Sequence, residues 1–437
     1  MRQQITKVNH NVLWTGTERA LSIDGQGNAA TDFSTNFELA RIPIPISGTF
    51  RNLTILTNYP FIGTLTLTLY KNNVATSLSV SIQQGEIRGT NSSDSVTVAT
   101  NDDIHFIVTG NTIGFDGYPI AYSIEFEGIR QFYGLHSSWG TKNIGDFWQG
   151  GILGGGSTQD NSGIQSNFYS ICSVSGAIKR LQLKAFNGPP GTGIWTGQLI
   201  KNSVIQDGSG GTINTTTVMT GTDESASTEF HLPIIPPDIV EVRVTRTGSN
   251  LPFSTVPLVG SSIAFIPDDG SSFMLTGGDN NAISGSDIGW RFNDNKQLET
   301  SEARSNSIIG KDGVIIRGIY TRFNSAPSPG DSWTITVRKN YTDTLITFSA
   351  TNQTGLMLAD VEYNHNDEIT IELDPVSNPT NGGFHWGLAA FIPSFSGIYK
   401  LVDGQRYDKI YTNAELGTTV NKKIPNPFIR TALIGDE

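Results

Sequence analysis

A single cysteine, Cys172, stands in the 437 residues. No intramolecular disulfide can form, which sets the chain apart from small secreted domains stapled by several bridges. Positive charge is sparse. Lys and Arg number 29 against 40 Asp and Glu, for a net charge of −11. No basic stripe runs anywhere along the chain, so the electrostatic footprint of a nucleic-acid binder is missing. No stretch approaches the roughly 18 consecutive apolar residues of a membrane-spanning helix. The opening MRQQITKVNHNVLW has no apolar core of the kind a signal peptide needs, so folding in a reducing cytoplasm is expected. Ala, Glu, Leu and Lys are scarce enough to argue against a helical fold.

What fills the chain is Gly (48 residues), Thr, Ser and Asn, around Val, Ile, Phe, Tyr and Trp in runs of period two. Alternation of this kind marks half-buried strands. The stretch GDSWTITVRKN (Gly330–Asn340) shows it best: Trp333, Ile335 and Val337 alternate with Thr334, Thr336 and Arg338, and Lys339-Asn340 follow at a turn. GTGIWTGQLIKN (Gly191–Asn202) and GTLTLTLYKN (Gly63–Asn72) repeat it. Aligned on Lys-Asn, Leu65, Trp195 and Trp333 share one position. Three anchors drift together along the chain. Asn58, Asn187 and Asn324 lie 129 and 137 residues apart, Lys71, Lys201 and Lys339 lie 130 and 138 apart, and Phe126, Phe265 and Phe391 lie 139 and 126 apart.

A period near 130 is too long for a solenoid unit and fits a whole sandwich. The reading is all-β, with three tandem β-sandwich (jelly-roll-like) domains at 1–131, 132–268 and 269–396 and a C-terminal arm at 397–437. Eight short strands per unit, with turn signals every 8–12 residues, suit a sandwich. The unit length favours a jelly roll over an immunoglobulin fold. Expected strands include Asn11–Gly16 and Phe50–Asn58. Asn101-Asp102-Asp103, Pro236-Pro237-Asp238 and His365-Asn366-Asp367 are expected turns. Gly150–Gly163 and Gly277–Asp287 read as loops or partner-facing arms. Pro425 and Pro427 bar a central strand from the C-terminal tail, whose apolar residues suit docking on a neighbour or on the third unit.

Chemistry-bearing motifs are thin. GPPGTG (Gly188–Gly193) opens like a phosphate loop, but Ile194 and Trp195 replace the Lys and hydroxyl that hold phosphate and magnesium, so a plain inter-strand loop is expected. No pair among His10, His105, His136, His231, His365 and His385 has zincin spacing, and Cys172 has no partner. Asp102-Asp103, Asp268-Asp269, Asp279 and Asp287 read as turn residues before calcium ligands. No acid pair or nucleophile elbow stands out. No catalytic, cofactor-binding or metal-ligating residue is therefore assigned, and no cofactor is expected. Trp195 and Trp333 read as core. Trp139, Trp148 and Trp290 read as loop tryptophans suited to a partner or glycan. Asn52, Asn91, Asn214, Asn340 and Asn352 head glycosylation triplets that matter only in a secretory pathway.

At GTFRNLTI…GTLTLTLYKN, SGAIKRLQL…GIWTGQLIKN and DGVIIRGIY…GDSWTITVRKN the chain resembles the tandem jelly-roll-like repeats of virion structural proteins. Tailed bacteriophages and giant viruses carry such modules in fibres, capsid decorations and capsid-associated proteins. The resemblance implies a non-enzymatic particle component, located in the virion after folding in the host cytoplasm. Its expected partners are capsid or tail proteins and copies of itself, with neither nucleic acid nor membrane. Three like domains in one chain either mimic a trimer on a local three-fold site or string out as a projection. The alternative is a glycan-binding adhesin or receptor-binding protein.

Overall fold

The computed structural model describes residues 1–9, 18–21, 40–57, 60–110, 120–135, 147–151, 157–160, 169–186, 191–248, 259–279, 283–284, 289–290, 302–381, 383–392, 401–402 and 405–406. Period-two segments become strands throughout. In the first sandwich these are β1 (Arg2–Asn9), β2 (Glu18–Leu21), β3 (Ile42–Pro43), β4 (Gly48–Thr57), β5 (Leu65–Lys71), β6 (Val74–Ile82), β7 (Arg88–Val98), β8 (Asp103–Gly110) and β9 (Ile120–Gly128). The second holds β10 (Gln131–Leu135), β11 (Phe147–Gly151), β12 (Ser157–Asp160), β13 (Ser170–Ile171), β14 (Gly176–Ala185), β15 (Gly191–Lys201), β16 (Val204–Ile205), β17 (Thr217–Gly221), β18 (Ser225–Ile234), β19 (Ile239–Gly248) and β20 (Val259–Pro267). The third holds β21 (Ser272–Asp279), β22 (Ile283–Ser284), β23 (Gly289–Trp290), the short helix α1 (Glu302–Ser305), β24 (Ser307–Ile308), β25 (Val314–Phe323), β26 (Ser332–Lys339), β27 (Thr342–Ala350), β28 (Thr354–Tyr363), β29 (Glu368–Val376), β30 (Thr380–Asn381) and β31 (Phe384–Phe391).

Strand order is the same three times. One sheet runs β1-β9-β4-β7, then β10-β20-β14-β18, then β21-β31-β25-β28. The facing sheet runs β2-β8-β5-β6, then β11-β19-β15-β16 with β12 added outside β11 and β17 also paired to β15, then β23-β29-β26-β27. This is the double Greek key of a jelly roll. The immunoglobulin order groups its strands differently. The two sheets of each sandwich close over their own core. Phe50, Ile55 and Ile124 meet Leu67, Leu69 and Phe106 in the first. Leu181 and Ile263 meet Trp195 and Val242 in the second. Ile319 and Leu388 meet Trp333 and Ile371 in the third. Leu65, Trp195 and Trp333 are all buried, because each points inward from the same place on an equivalent strand.

Hydrogen-bond register corrects two of the three sequence anchors. The bulged strands β4, β14 and β25 pair Phe50 with Phe126, Ile178 with Phe265 and Ile316 with Ala390. Counted from there, Asn324 corresponds to Phe186, and Phe126 and Phe265 correspond to Ala390 and not Phe391; Asn58 and Asn187 lie outside the described residues. A slip of one residue turns a side chain to the other face. Phe126 and Phe265 are accordingly buried, while Phe391 is half-buried with the Arg317 guanidinium over its ring at 4.5 Å.

Some loop expectations also yield. Trp148 lies on β11 opposite Val244, and Trp290 on β23 opposite Glu372. Ser157–Asp160 and Ile283–Ser284, within the glycine-rich stretches, are strands too. Gly191–Gly193, the end of the phosphate-loop look-alike, already belongs to β15. The expected strand Asn11–Gly16 lies outside the described residues; the first strand observed is Arg2–Asn9. Met1–Ile392 forms one compact unit, and Pro393–Glu437 forms another. In the latter the described residues are β32 (Leu401–Val402) and β33 (Gln405–Arg406), paired antiparallel. The rest of the expected arm 397–437 lies outside the described residues.

Candidate functional site

The repeated Lys-Asn pair sits in a two-residue hairpin turn whose central residues both have positive φ: Asn72 and Asn73 (51° and 63°), Asn202 and Ser203 (49° and 69°), Asn340 and Tyr341 (49° and 64°). That geometry matches the right-handed twist of the flanking strands, and Asn tolerates it. Each Asn then reaches a second turn. Asn72 Nδ2 donates to Asp102 Oδ1 at 2.7 Å, Asn202 to Asp238 at 2.5 Å, and Asn340 to Asp367 at 2.6 Å. Its Oδ1 accepts the N–H of Asp103, Ile239 or Glu368 at 2.8–3.0 Å. The preceding Lys pairs with the same Asp at 3.1, 2.9 and 2.8 Å. Burial pushes the Asp367 carboxyl up, but the Asn364 N–H and the Lys339 and Asn340 contacts outweigh it and hold it below the usual range. Asp102 is lowered in the same way, against its own burial, by Ala99, Asn72 and Lys71. This latch pins the turn before β8, β19 and β29, the strands that carry the joints between sandwiches.

Those joints form a cycle. The short strand β3 pairs with the start of β8 and packs on β10, β14 and β20 of the second sandwich. Equivalent β13 pairs with β19 and packs on β21, β25 and β31 of the third. Equivalent β24 pairs with β29 and packs on β1, β4 and β9 of the first. First meets second, second meets third, and third meets first. The opening strands repeat the cycle. Gln3 donates to Phe132 O at 2.9 Å and accepts from Phe132 N at 3.1 Å. Gln131 donates to Ser272 O at 2.5 Å, and β1 lies against β21. Burial bears this out: β9 and β20 are buried along almost their whole length, whereas the outlying β28 alternates exposed and half-buried. An isolated sandwich would show alternation on both.

One position makes each joint with different chemistry. At the first, Asp103 accepts from Arg41 Nε and Nη2 at 2.6 and 2.7 Å and from Lys184 Nζ of the second sandwich at 2.7 Å. Burial raises this carboxyl, and the two cations overcome that and lower it. At the second joint the equivalent residue is Ile239, clustered with Tyr169, Ile171 and Tyr320. Tyr169 stacks on His385 with centroids 4.0 Å apart. At the third, Glu368 takes Asn306 Nδ2 at 2.7 Å and Arg88 of the first sandwich. There Lys311 also meets Glu125 at 3.4 Å. A glycine lets each pair close. A Cβ on Gly134 would stand 2.3 Å from Ile42 Cγ2, on Gly387 2.5 Å from Ile171 O, and on Gly310 2.8 Å from Ser123 Oγ.

The sequence did not single out Arg41, Tyr169, Lys184 or Arg88. Each reads as an ordinary polar or aromatic residue, and only the three-fold equivalence of β3, β13 and β24 would have marked the first two. The histidines scatter. His105 is buried beside Tyr70, and burial followed by the Arg41 charge brings its pKa down to about 4. His231 contacts Lys179, His365 lies 3.3 Å from Thr90 Oγ1, and His385 belongs to the second joint. His10, His136 and Trp139 lie outside the described residues. Burial raises the Cys172 thiol well above its usual value, which makes it an inert core residue. Asp102 serves the latch, Asp103 a joint, and Asp269 caps the turn before β21 through Ser271 and Ser272 N–H. Among the described residues no three His, Cys, Asp or Glu are placed to hold a metal ion.

No protein-family model and no curated protein matches the chain. Among solved structures, the major capsid protein P2 from bacteriophage PM2 aligns with 61% of this chain and 99% of its own. Identity is 7% and the TM-score 0.20, too low for the likeness to bear on function.

Proposed function

We propose that this chain is a non-enzymatic structural protein of a virus particle, seated on the capsid as a single-chain equivalent of a trimer. The observation that carries the reading is the closed cycle of three jelly rolls. Head-to-tail interfaces make a closed ring when the rotation returns on itself and a filament when it does not. Here the third sandwich returns to the first, which favours a three-fold seat over an extended fibre. The buried carboxylates Asp103 and Glu368 hold joints between sandwiches, which suits assembly. The partners in this reading are capsid proteins, met through surfaces outside the ring.

Purified particles provide the test. The protein should co-sediment with them, and imaging should place one chain on each local three-fold position. Particles that pellet without it, from a lysate in which the protein stays wholly soluble, would sink the idea.

A further inference from the structure

We propose that two copies of this chain pair through β28, antiparallel and about a two-fold axis at Met357, so that the outer sheet of the third sandwich continues into that of its partner. Among the described residues β28 is an edge strand, bonded to β25 alone. Edge strands offer unpaired backbone groups, and proteins normally guard them with polar or charged side chains. The equivalent edges obey that rule: Thr90 and Ser227 stand where β28 has Leu356, and Glu229 where it has Leu358, by their pairing with Thr54, Gln182 and Arg180. On β28 the leucines are 49% and 61% exposed. Leu356 lies opposite Tyr320, which belongs to the apolar cluster of the second joint, so the patch continues a built interface.

The strand is self-complementary in this register. Leu356 of one copy faces Leu358 of the other, twice across the axis, on the outer face. Gly355 faces Ala359 and Thr354 faces Asp360, so no like charges oppose one another. The pairing segment Thr354–Asp360 also ends before Glu362, whose carbonyl is already taken by Lys339 Nζ at 2.8 Å. An isologous contact of this kind closes at two copies.

Sedimentation velocity of the full chain over a hundred-fold concentration range reads the proposal. Wild type should pass from one to two copies. Leu358→Lys and Leu356→Glu should each weaken association by about tenfold or more, since each puts a charge against leucine. Leu345→Lys, at a leucine 73% exposed on β27, should leave it unchanged. The double variant L356E/L358K should restore dimers, because the register sets the carboxylate introduced at position 356 of one copy against the ammonium introduced at position 358 of the other. A monomer at every concentration, dimers indifferent to both single changes, or a double variant that stays monomeric would each overturn the pairing. All substituted leucines are exposed, so the variants should fold, with circular dichroism as the check. A monomer that still binds particles would overturn this pairing and leave the particle reading intact.

Discussion

At the scale of single residues, the latch asparagines do two jobs: they accept a left-handed backbone and they sew two turns together. Substitution separates the two. Asn340→Gly keeps the conformation and loses the bonds to Asp367 and Glu368, at a cost of about 1–2 kcal/mol. Asn340→Ala adds a left-handed alanine, worth about 1–2 kcal/mol more. Thermal melts should therefore rank wild type above the glycine variant and that above the alanine variant. A tie between the two variants would mean that backbone strain plays no part. Gly387 is a question of space. The atom in its way is the backbone oxygen Ile171 O, which cannot rotate aside, so Gly387→Ala should destabilise by about 1–3 kcal/mol. The same change at Gly85, where nothing lies within 4 Å of the new carbon, meets no such clash but carries the strain of a φ of +86°. The two variants thus separate clash from strain in the same denaturation assay.

At the scale of elements, the joints differ in what holds them, and pH should act on two of them. The Asp103 and Glu125 carboxyls are both raised by burial and, more strongly, lowered by their partners: Arg41 and Lys184 for the first, Lys311, Asn52 and Arg51 for the second. A carboxyl depressed in the folded state contributes stability that is present above the unfolded value near 4 and lost as pH falls through the lower folded value. The first and third joints should therefore loosen together below about pH 4. Hydrogen exchange matched for intrinsic rate should show the starts of β8 and β29 losing protection in that range. Protection unchanged there would count against the assignment. Asp103→Asn should produce the loss at neutral pH, and the difference from wild type should fade at a pH low enough to protonate Asp103. The substitution leaves the Arg41 and Lys184 charges without their counter-charge at a site where Asp103 is 0% exposed, at a cost of about 3–5 kcal/mol.

At the scale of the whole molecule, closure gives the chain a redundancy that an open string lacks. In a ring of three, every sandwich has two neighbours, so cutting one connection leaves it held through both joints. A nick between Gly128 and Gln131, where Ile129 is 76% exposed, should leave a single species of unchanged size in native gel filtration. Denaturing gels would show two fragments. Separation of a one-sandwich fragment under native conditions would argue against a self-sufficient ring.

The amino-acid sequence by itself determined what is local. Period-two alternation marks strands because side chains alternate across a pleat. Lys-Asn marks the hairpin because Asn tolerates the left-handed turn, and the inward place of Leu65, Trp195 and Trp333 follows from parity within one strand. The anchor Phe391 failed by one residue, and Asn324 matches Phe186, because residue identity does not set register; backbone hydrogen bonds and the bulges in β4, β14 and β25 do. Only the tertiary structure decided strand order and the closing of the ring. The outer face of a sheet carries Ser, Gln and His whether it meets water or another sandwich, so the burial of Gln182, Ser262 and His385 left no mark in the periodicity. The contacts that close the ring also join residues far apart in the chain. Arg88 and Glu368 are 280 positions apart, a separation at which no local pattern couples one residue type to another.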